Sequence, residues 1–173
     1  MIDEKLEAPK DSPNSSPDMG IVKAWMRQAE PHVVVEQQRL IMECVLASLP
    51  PDIVNDEAAQ ANILGGLLDG RLQVWGITGQ TASGKLAPLG VGTTEIVTDK
   101  WSGAKKLLIF SLFAPFDVIP PAEYKNLFET MAVYAKAQGC AKIELFTRND
   151  AILRRARSLN FDTENRYCSV EIS

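Results

Sequence analysis

The sequence is poor in the residues that bind soft metals. It has one histidine, His32, and three widely spaced cysteines, Cys44, Cys140 and Cys168. No two cysteines form a CxxC pair, and a structural zinc centre needs about four ligands with at least one close pair. No metal site is therefore expected. An odd and sparse set of cysteines also excludes a disulfide scaffold. Three small, mostly buried thiols in a reducing compartment are expected instead. No apolar run reaches the length of a transmembrane helix. The opening MIDEKLEAPK is charged and lacks the apolar core of a secretory leader, so the chain is expected to stay in the cytoplasm. A basic excess is missing too. The formal net charge is −4, which speaks against a nucleic-acid scaffold.

What is present suits a single globular domain. The 173 residues are 46% hydrophobic and 23% charged, enough to bury a core without staples. Residues 1–18 differ from the rest. Pro9, Pro13 and Pro17 stand among serines and charges with few apolar side chains, so this tail is expected to be disordered alone and to order on a partner. The domain is expected over 19–173.

Periodicity gives the elements. Gly20–Arg27 reads as a short amphipathic piece with Ile21, Ala24 and Trp25 on one side. Residues 32–48 read as one helix, with Leu40, Ile41, Cys44, Val45 and Ala47 at helical spacing, ended by Pro50-Pro51. A second helix runs from an Asn55 cap to Leu68 and stops at Gly70. Three strand-like runs follow as an antiparallel meander: Leu72–Ile77, Leu89–Val97 with Leu89, Val91, Thr93, Glu95 and Val97 on one face, and the apolar Lys106–Ala114. A long helix opens at Pro121 and ends at Gly139. Its buried face is Tyr124, Leu127, Phe128, Met131, Ala135 and Gln138. Then come a strand at Lys142–Phe146, an Asn149-capped helix with Ile152, Leu153, Ala156 and Leu159 inward, and a last strand at Tyr167–Ile172. A right-handed crossover makes the strands flanking the long helix parallel neighbours. The fold class is α/β (α+β): a mixed sheet, a meander followed by βαβ crossovers, with helices on both faces.

Several motifs invite chemistry. Gly79-Gln-Thr-Ala-Ser-Gly84-Lys85 follows a strand and matches most of a phosphate-binding P-loop. Leu86 replaces the Mg²⁺-ligating hydroxyl, and Pro88 with another strand replaces the receiving helix, so the segment reads as a polar hairpin. Arg148, Arg154, Arg155, Arg157 and Arg166 form a local basic cluster diluted by Asp150, Asp162 and Glu164. Such a run is commonly a solvated helix face. Arg154, Arg155 and Arg157 are the candidates for holding a phosphate or an acidic partner. Glu95 and Glu144 lie inside strands, where an acid beside a cleft can act as a general base. His32 has no assignable Ser, Cys or acidic partner, so no triad is expected. Trp25, Trp75 and Trp101 read as packing or rim residues.

Lys106–Ile172 resembles the core of the GNAT superfamily of N-acetyltransferases. The stretch Ala135-Lys-Ala-Gln-Gly-Cys-Ala-Lys-Ile-Glu-Leu-Phe-Thr-Arg-Asn149 is similar to the end of that family's long central helix and the strand after it. Ala151–Phe161 resembles the following helix and its "GF" turn. The resemblance implies an acetyl-CoA cleft near Leu112–Phe116, with Leu112, Ala114, Ala122, Tyr124 and Asn149 as coenzyme-binding candidates. Departures are equally plain. The family's Gly-rich diphosphate loop corresponds to Ile119-Pro-Pro-Ala-Glu-Tyr124, where Ala122 and Tyr124 replace the glycines and two prolines each remove a donor. The family's tyrosine acid corresponds to Ala156, and the glycine of the turn to Asn160, a residue that tolerates a left-handed backbone.

Two readings follow. The first is a non-catalytic binding or assembly protein of this fold, such as a component of a viral or phage particle, needing no cofactor, with the tail docked on a protein partner and a homo-oligomer allowed. The second is an acetyl-CoA-dependent N-acyltransferase acting on an amine, with Glu95 or Glu144 as base. A phosphate-binding regulator using the arginines is a lesser third.

Overall fold

The computed structural model describes residues 20–114, 118–147 and 150–163, the side chains of Asp52 and Ala151 excepted. The tail 1–18, Phe116, Arg148, Asn149, Arg166, Cys168 and the strand expected at Tyr167–Ile172 lie outside the described residues.

Strand β1 (Ile21–Gln28) occupies the amphipathic stretch. Its buried side chains are Ile21, Ala24 and Met26, not Ile21, Ala24 and Trp25. Adjacent residues in a strand point to opposite faces, so Ala24 and Trp25 cannot share one. A register shift between Ile21 and Lys23 gives the three-residue step that imitates a helical spacing.

The expected helix over 32–48 is divided into α1 (Pro31–Glu36) and α2 (Gln38–Ala47). The break is Gln37, whose backbone sits at φ −108°, ψ 16°. Val34, Ile41 and Val45 are buried, whereas Leu40 is exposed. Cys44 and Cys140 are half-buried rather than interior. A short α3 (Pro51–Val54) precedes α4 (Glu57–Leu68). The cap of α4 is Asp56, not Asn55. Its Oδ1 accepts from the N–H groups of Ala58 at 2.8 Å and Ala59 at 3.3 Å, satisfying two of the orphan donors of the first turn.

The meander is β2 (Leu72–Thr81), β3 (Leu86–Thr98) and β4 (Lys105–Phe113). The P-loop-like segment is the end of β2 and the hairpin turn. Thr81 N–H donates to Lys85 O at 2.9 Å, and Gly84 takes φ +83°, a conformation open to glycine. Leu89 and Val91 do not share a face. Ile77 pairs with Gly90 and Thr78 with Pro88, leaving Leu89 as an extra residue in a bulge. Leu89 therefore joins one side of the core and Val91 the other. Val97 is exposed at the strand's end.

Next come α5 (Pro121–Ala137), β5 (Cys140–Leu145) and α6 (Asp150–Ser158). Gly139 at φ +74° ends α5, and Asn160 at φ 62° follows α6 in the left-handed region. Gln138 is the exposed cap of α5, not part of its buried face. The sheet order is β1-β2-β3-β4-β5. It is antiparallel except for the parallel β4–β5 pair made by the crossover through α5.

Two apolar clusters sandwich this sheet. On one face Met26, Trp75 and Leu107 cluster with Leu127, Met131 and Ala135 of α5. The Trp75 and Tyr134 rings meet edge-on at 5.0 Å. On the other face Leu72 and Val74 of β2 cluster with Val34 of α1, Ile41 and Val45 of α2, and Leu67 of α4.

Candidate functional site

The parallel pairing of β4 and β5 stops early. Its last pair is Ile109 with Leu145, yet β4 continues to Phe113. The strands part there, and among the described residues the backbone of Phe110–Phe113 has no partner strand on that side. A second irregularity coincides. Thr93 pairs with Ser111 and Thr94 with Ile109, so Phe110 is an extra residue in β4. The bulge turns both Ile109 and Leu112 towards α5.

A slot of about 80 Å³ lies beside the parting. Ile109, Leu112 and Leu145 form its sheet side, Leu127 and Met131 its α5 side, and Ala156 its α6 side. Cavities of this composition hold no water and accept apolar groups. The rings of Phe128 and Phe161 meet at 5.1 Å and close the wall between α5 and α6.

Charge enters at the first turn of α5. Tyr124 is buried in the slot wall, and the Arg155 guanidinium carbon lies 4.2 Å from its ring centroid. On the other side of the turn, Glu123 Oε2 accepts from the Ala24 N–H at 2.9 Å and from Asn126 Nδ2 at 3.2 Å. Pro121 has no N–H to offer, and the Glu123 N–H donates to Pro120 O at 3.0 Å. The backbone of this turn is a poor anion cradle.

The opposite face of the sheet carries the carboxylates. Leu108 pairs with both Glu95 and Glu144, so the three stand in one cross-strand row. Leu107 and Ile109 face α5, which puts the row on the far face from the slot. Glu144 is committed. It pairs with Lys142 and lies 3.4 Å from Lys106, which also reaches Asp99 at 3.8 Å. The hydrogen bond from Lys142 is the first cause holding the Glu144 carboxyl below its ordinary value, and it raises Lys142 in turn. Among the described residues Glu95 has no ion pair. Within the parted stretch, Ser111 shares a buried hydroxyl bond of 2.6 Å with Thr93.

The structure thus brings Leu112, Ala114 and Tyr124 to one slot. Ala122 is exposed on the first turn and outside the slot wall. Arg154 and Arg157 are exposed, whereas Arg155 is half-buried in the wall. Reading the arginines as one solvated face is therefore wrong for Arg155. The signal lies in spacing: Arg155 is three residues from Ile152 and four from Leu159, both wall residues. The Glu123–Ala24 bond, between residues 99 apart, leaves no signal in a local reading. His32 is exposed beside Glu30 at 3.5 Å. Burial pushes the Cys44 thiol up, which makes it a poor nucleophile. Trp75 is a core residue donating to Thr94 Oγ1 at 2.9 Å, while Trp101 stands 96% exposed on the β3–β4 turn. No described helix is long and apolar enough to cross a membrane.

No protein-family model matches the sequence, and no curated protein does. Solved structures match along most of its length. AAC(6')-Iy, solved with the bisubstrate analogue CoA-S-monomethyl-acetylneamine, is 15% identical with a TM-score of 0.60, over 87% of this chain and 98% of that one. Glucosamine-6-phosphate N-acetyltransferase from Arabidopsis thaliana is 12% identical with a TM-score of 0.55, over 87% and 99%. An acetyltransferase from Trypanosoma brucei is 15% identical with a TM-score of 0.55, over 87% and 100%. At these identities the likeness is one of fold: the chain has the mixed α/β fold of the GNAT acetyltransferases.

Proposed function

We propose that this chain binds an acyl thioester of coenzyme A at the parting of β4 and β5 and transfers the acyl group to an amine. The observation that carries the reading is that parting, because it places strand backbone with no partner strand among the described residues next to an apolar slot. A pantetheine arm is a chain of amides and methylenes. On the side of β4 away from β3, the N–H and C=O groups of Phe110–Phe113, which have no partner strand among the described residues, suit the amides, and Ile109, Leu112 and Leu145 suit the methylenes. The diphosphate fits less well at the start of α5, where prolines and Glu123 stand.

The chemistry is acyl transfer. The amine nitrogen attacks the thioester carbonyl, a C–N bond forms, the C–S bond breaks, and the amine loses a proton. Glu95 is the better candidate to take that proton, directly or through water. It has no ion-pair partner among the described residues, whereas the lysines make Glu144 a weaker base. Ala156 supplies no acid in the slot wall, so the departing thiolate takes its proton from solvent.

The test is thiol release from acetyl-CoA against a panel of primary amines. Release that requires both substrates is expected, with Glu95→Gln slower by roughly 100-fold. Absence of release with every amine, together with no acetyl-CoA binding, overturns the proposal.

One observation favours a second reading, a non-catalytic binding or assembly protein. Tyr124, Pro120 and Pro121 occupy the place where a phosphate cradle would form. On that reading the tail 1–18 docks on a protein partner, and acetyl-CoA produces no heat on titration.

A further inference from the structure

The arginines of α6 are in three different situations. Arg154 is exposed. Arg157 is exposed too, and its Nε donates to Thr163 Oγ1 at 3.0 Å. Arg155 lies half-buried in the slot wall with its guanidinium over the Tyr124 ring. Among the described residues no carboxylate forms an ion pair with it. A charge drawn into an apolar wall without a counter-ion is costly, and the ring offsets only part of that cost. The ring holds the guanidinium carbon at 4.2 Å from its centroid, and a guanidinium presents its five N–H donors as a planar fork suited to phosphate oxygens.

The other side of the same turn has the opposite sign and is already engaged. The Glu123 carboxylate holds the Ala24 N–H and the Asn126 amide. The first turn of α5 is thus negative towards β1 and positive towards α6. An anion arriving at this end of the slot is repelled on one side and met by a preformed fork on the other.

We infer that Arg155 seats the diphosphate of the acyl donor, with side-chain N–H groups acting where backbone amides are scarce. This rests on the acyl-thioester reading above and adds the anchor which that reading lacks. It makes the charged half of the ligand a property of α6, and the amide and acyl half a property of β4.

Two probes separate these halves: acetyl-CoA, which carries the diphosphate, and S-acetylpantetheine, which does not. Each is titrated by calorimetry into wild-type protein and into Arg155→Met, which keeps an aliphatic stem over Tyr124. Arg155→Lys and Arg154→Ala are measured beside it, with circular dichroism to verify folding. The expected result is roughly tenfold weaker acetyl-CoA binding in Arg155→Met, unchanged S-acetylpantetheine binding, partial recovery in Arg155→Lys, and no change in Arg154→Ala. The acetyl-CoA affinity of wild type should also fall with added salt more steeply than that of Arg155→Met. Equal acetyl-CoA affinity in wild type and Arg155→Met overturns the role of Arg155 and leaves the acyl-thioester reading standing. A parallel loss of both probes overturns it too, by showing that Arg155 only shapes the slot. Wild-type protein that binds neither probe overturns both the inference and the reading beneath it.

Discussion

The two faces of the sheet are built from different chemistry. Under α5 and α6 the face is apolar from Met26 to Met131, and among the described residues its slot has one charged side chain in its wall, Arg155. Under α1, α2 and α4 an apolar cluster covers part of the face, and beside it stand the Thr93–Ser111 hydroxyl pair and the row of Glu95, Leu108 and Glu144. The lesson is a division of labour. One face presents an apolar slot, the other a row with two carboxylates and a hydroxyl pair, and β4 parts from β5 at their edge.

The largest effect should come from the apolar face. Leu107 is fully buried on β4. Leu107→Ala should cost about 2–5 kcal/mol of stability, read from urea unfolding. Val45→Ala on the opposite face should cost less, because fewer methyl groups are lost. Equal losses would erase the contrast between the clusters.

Gly90 sharpens the comparison at the junction. A Cβ there would collide with the Phe113 carbonyl oxygen and lie 2.9 Å from Ala114 Cα. Neither atom can swing aside as a side chain would. Gly90→Ala should cost about 1–3 kcal/mol and also weaken acetyl-CoA binding, since it pushes β4 where the slot begins. Gly79→Ala meets chiefly the Leu89 side chain, whose Cδ1 lies 2.6 Å away, and should leave acetyl-CoA binding unchanged.

The hydroxyl pair comes next. Thr93→Val leaves the buried Ser111 hydroxyl without its 2.6 Å partner and should cost about 1–2 kcal/mol. Adding Ser111→Ala should recover part of that loss. A double variant as unstable as the sum of the singles would show that the hydroxyls do not act as a pair.

The smallest effect is electrostatic. Glu144 is held below its ordinary value of 4.5 in the folded chain, first by its bond from Lys142. A depressed folded value means that this contribution is present above pH 4.5 and is lost as pH falls through the lower folded value. Glu144→Gln should flatten the stability profile in that acid window, by less than about 1 kcal/mol because the pair is partly exposed. A profile unchanged by the substitution would remove Glu144 from the charge network.

Much of this architecture was legible because its punctuation is local. Gly139 and Asn160 mark the two helix ends, and the alternation of apolar runs with Gly and Pro turns marks the meander. What escaped depends on bulges and long-range contacts. The bulge at Leu89 reverses the phase of β3, so a period-two reading puts Leu89 and Val91 on one face when they lie on opposite ones. The irregularity between Ile21 and Lys23 disguises β1 in the same way. At the site, Leu112, Ala114 and Tyr124, named as coenzyme-binding candidates from the GNAT resemblance, line one slot. Arg155 was hidden by its neighbours, since a run of arginines does not say which one turns inward.

The central claim is that an acyl donor seats where β4 and β5 part. The most direct measurement is calorimetric titration of acetyl-CoA into wild-type protein and into Leu112→Trp, with circular dichroism to verify that the variant folds. The account predicts micromolar binding to wild type and its loss in Leu112→Trp, because the indole would fill the slot. No heat from wild-type protein at millimolar ligand, or equal binding by a folded Leu112→Trp, would contradict it.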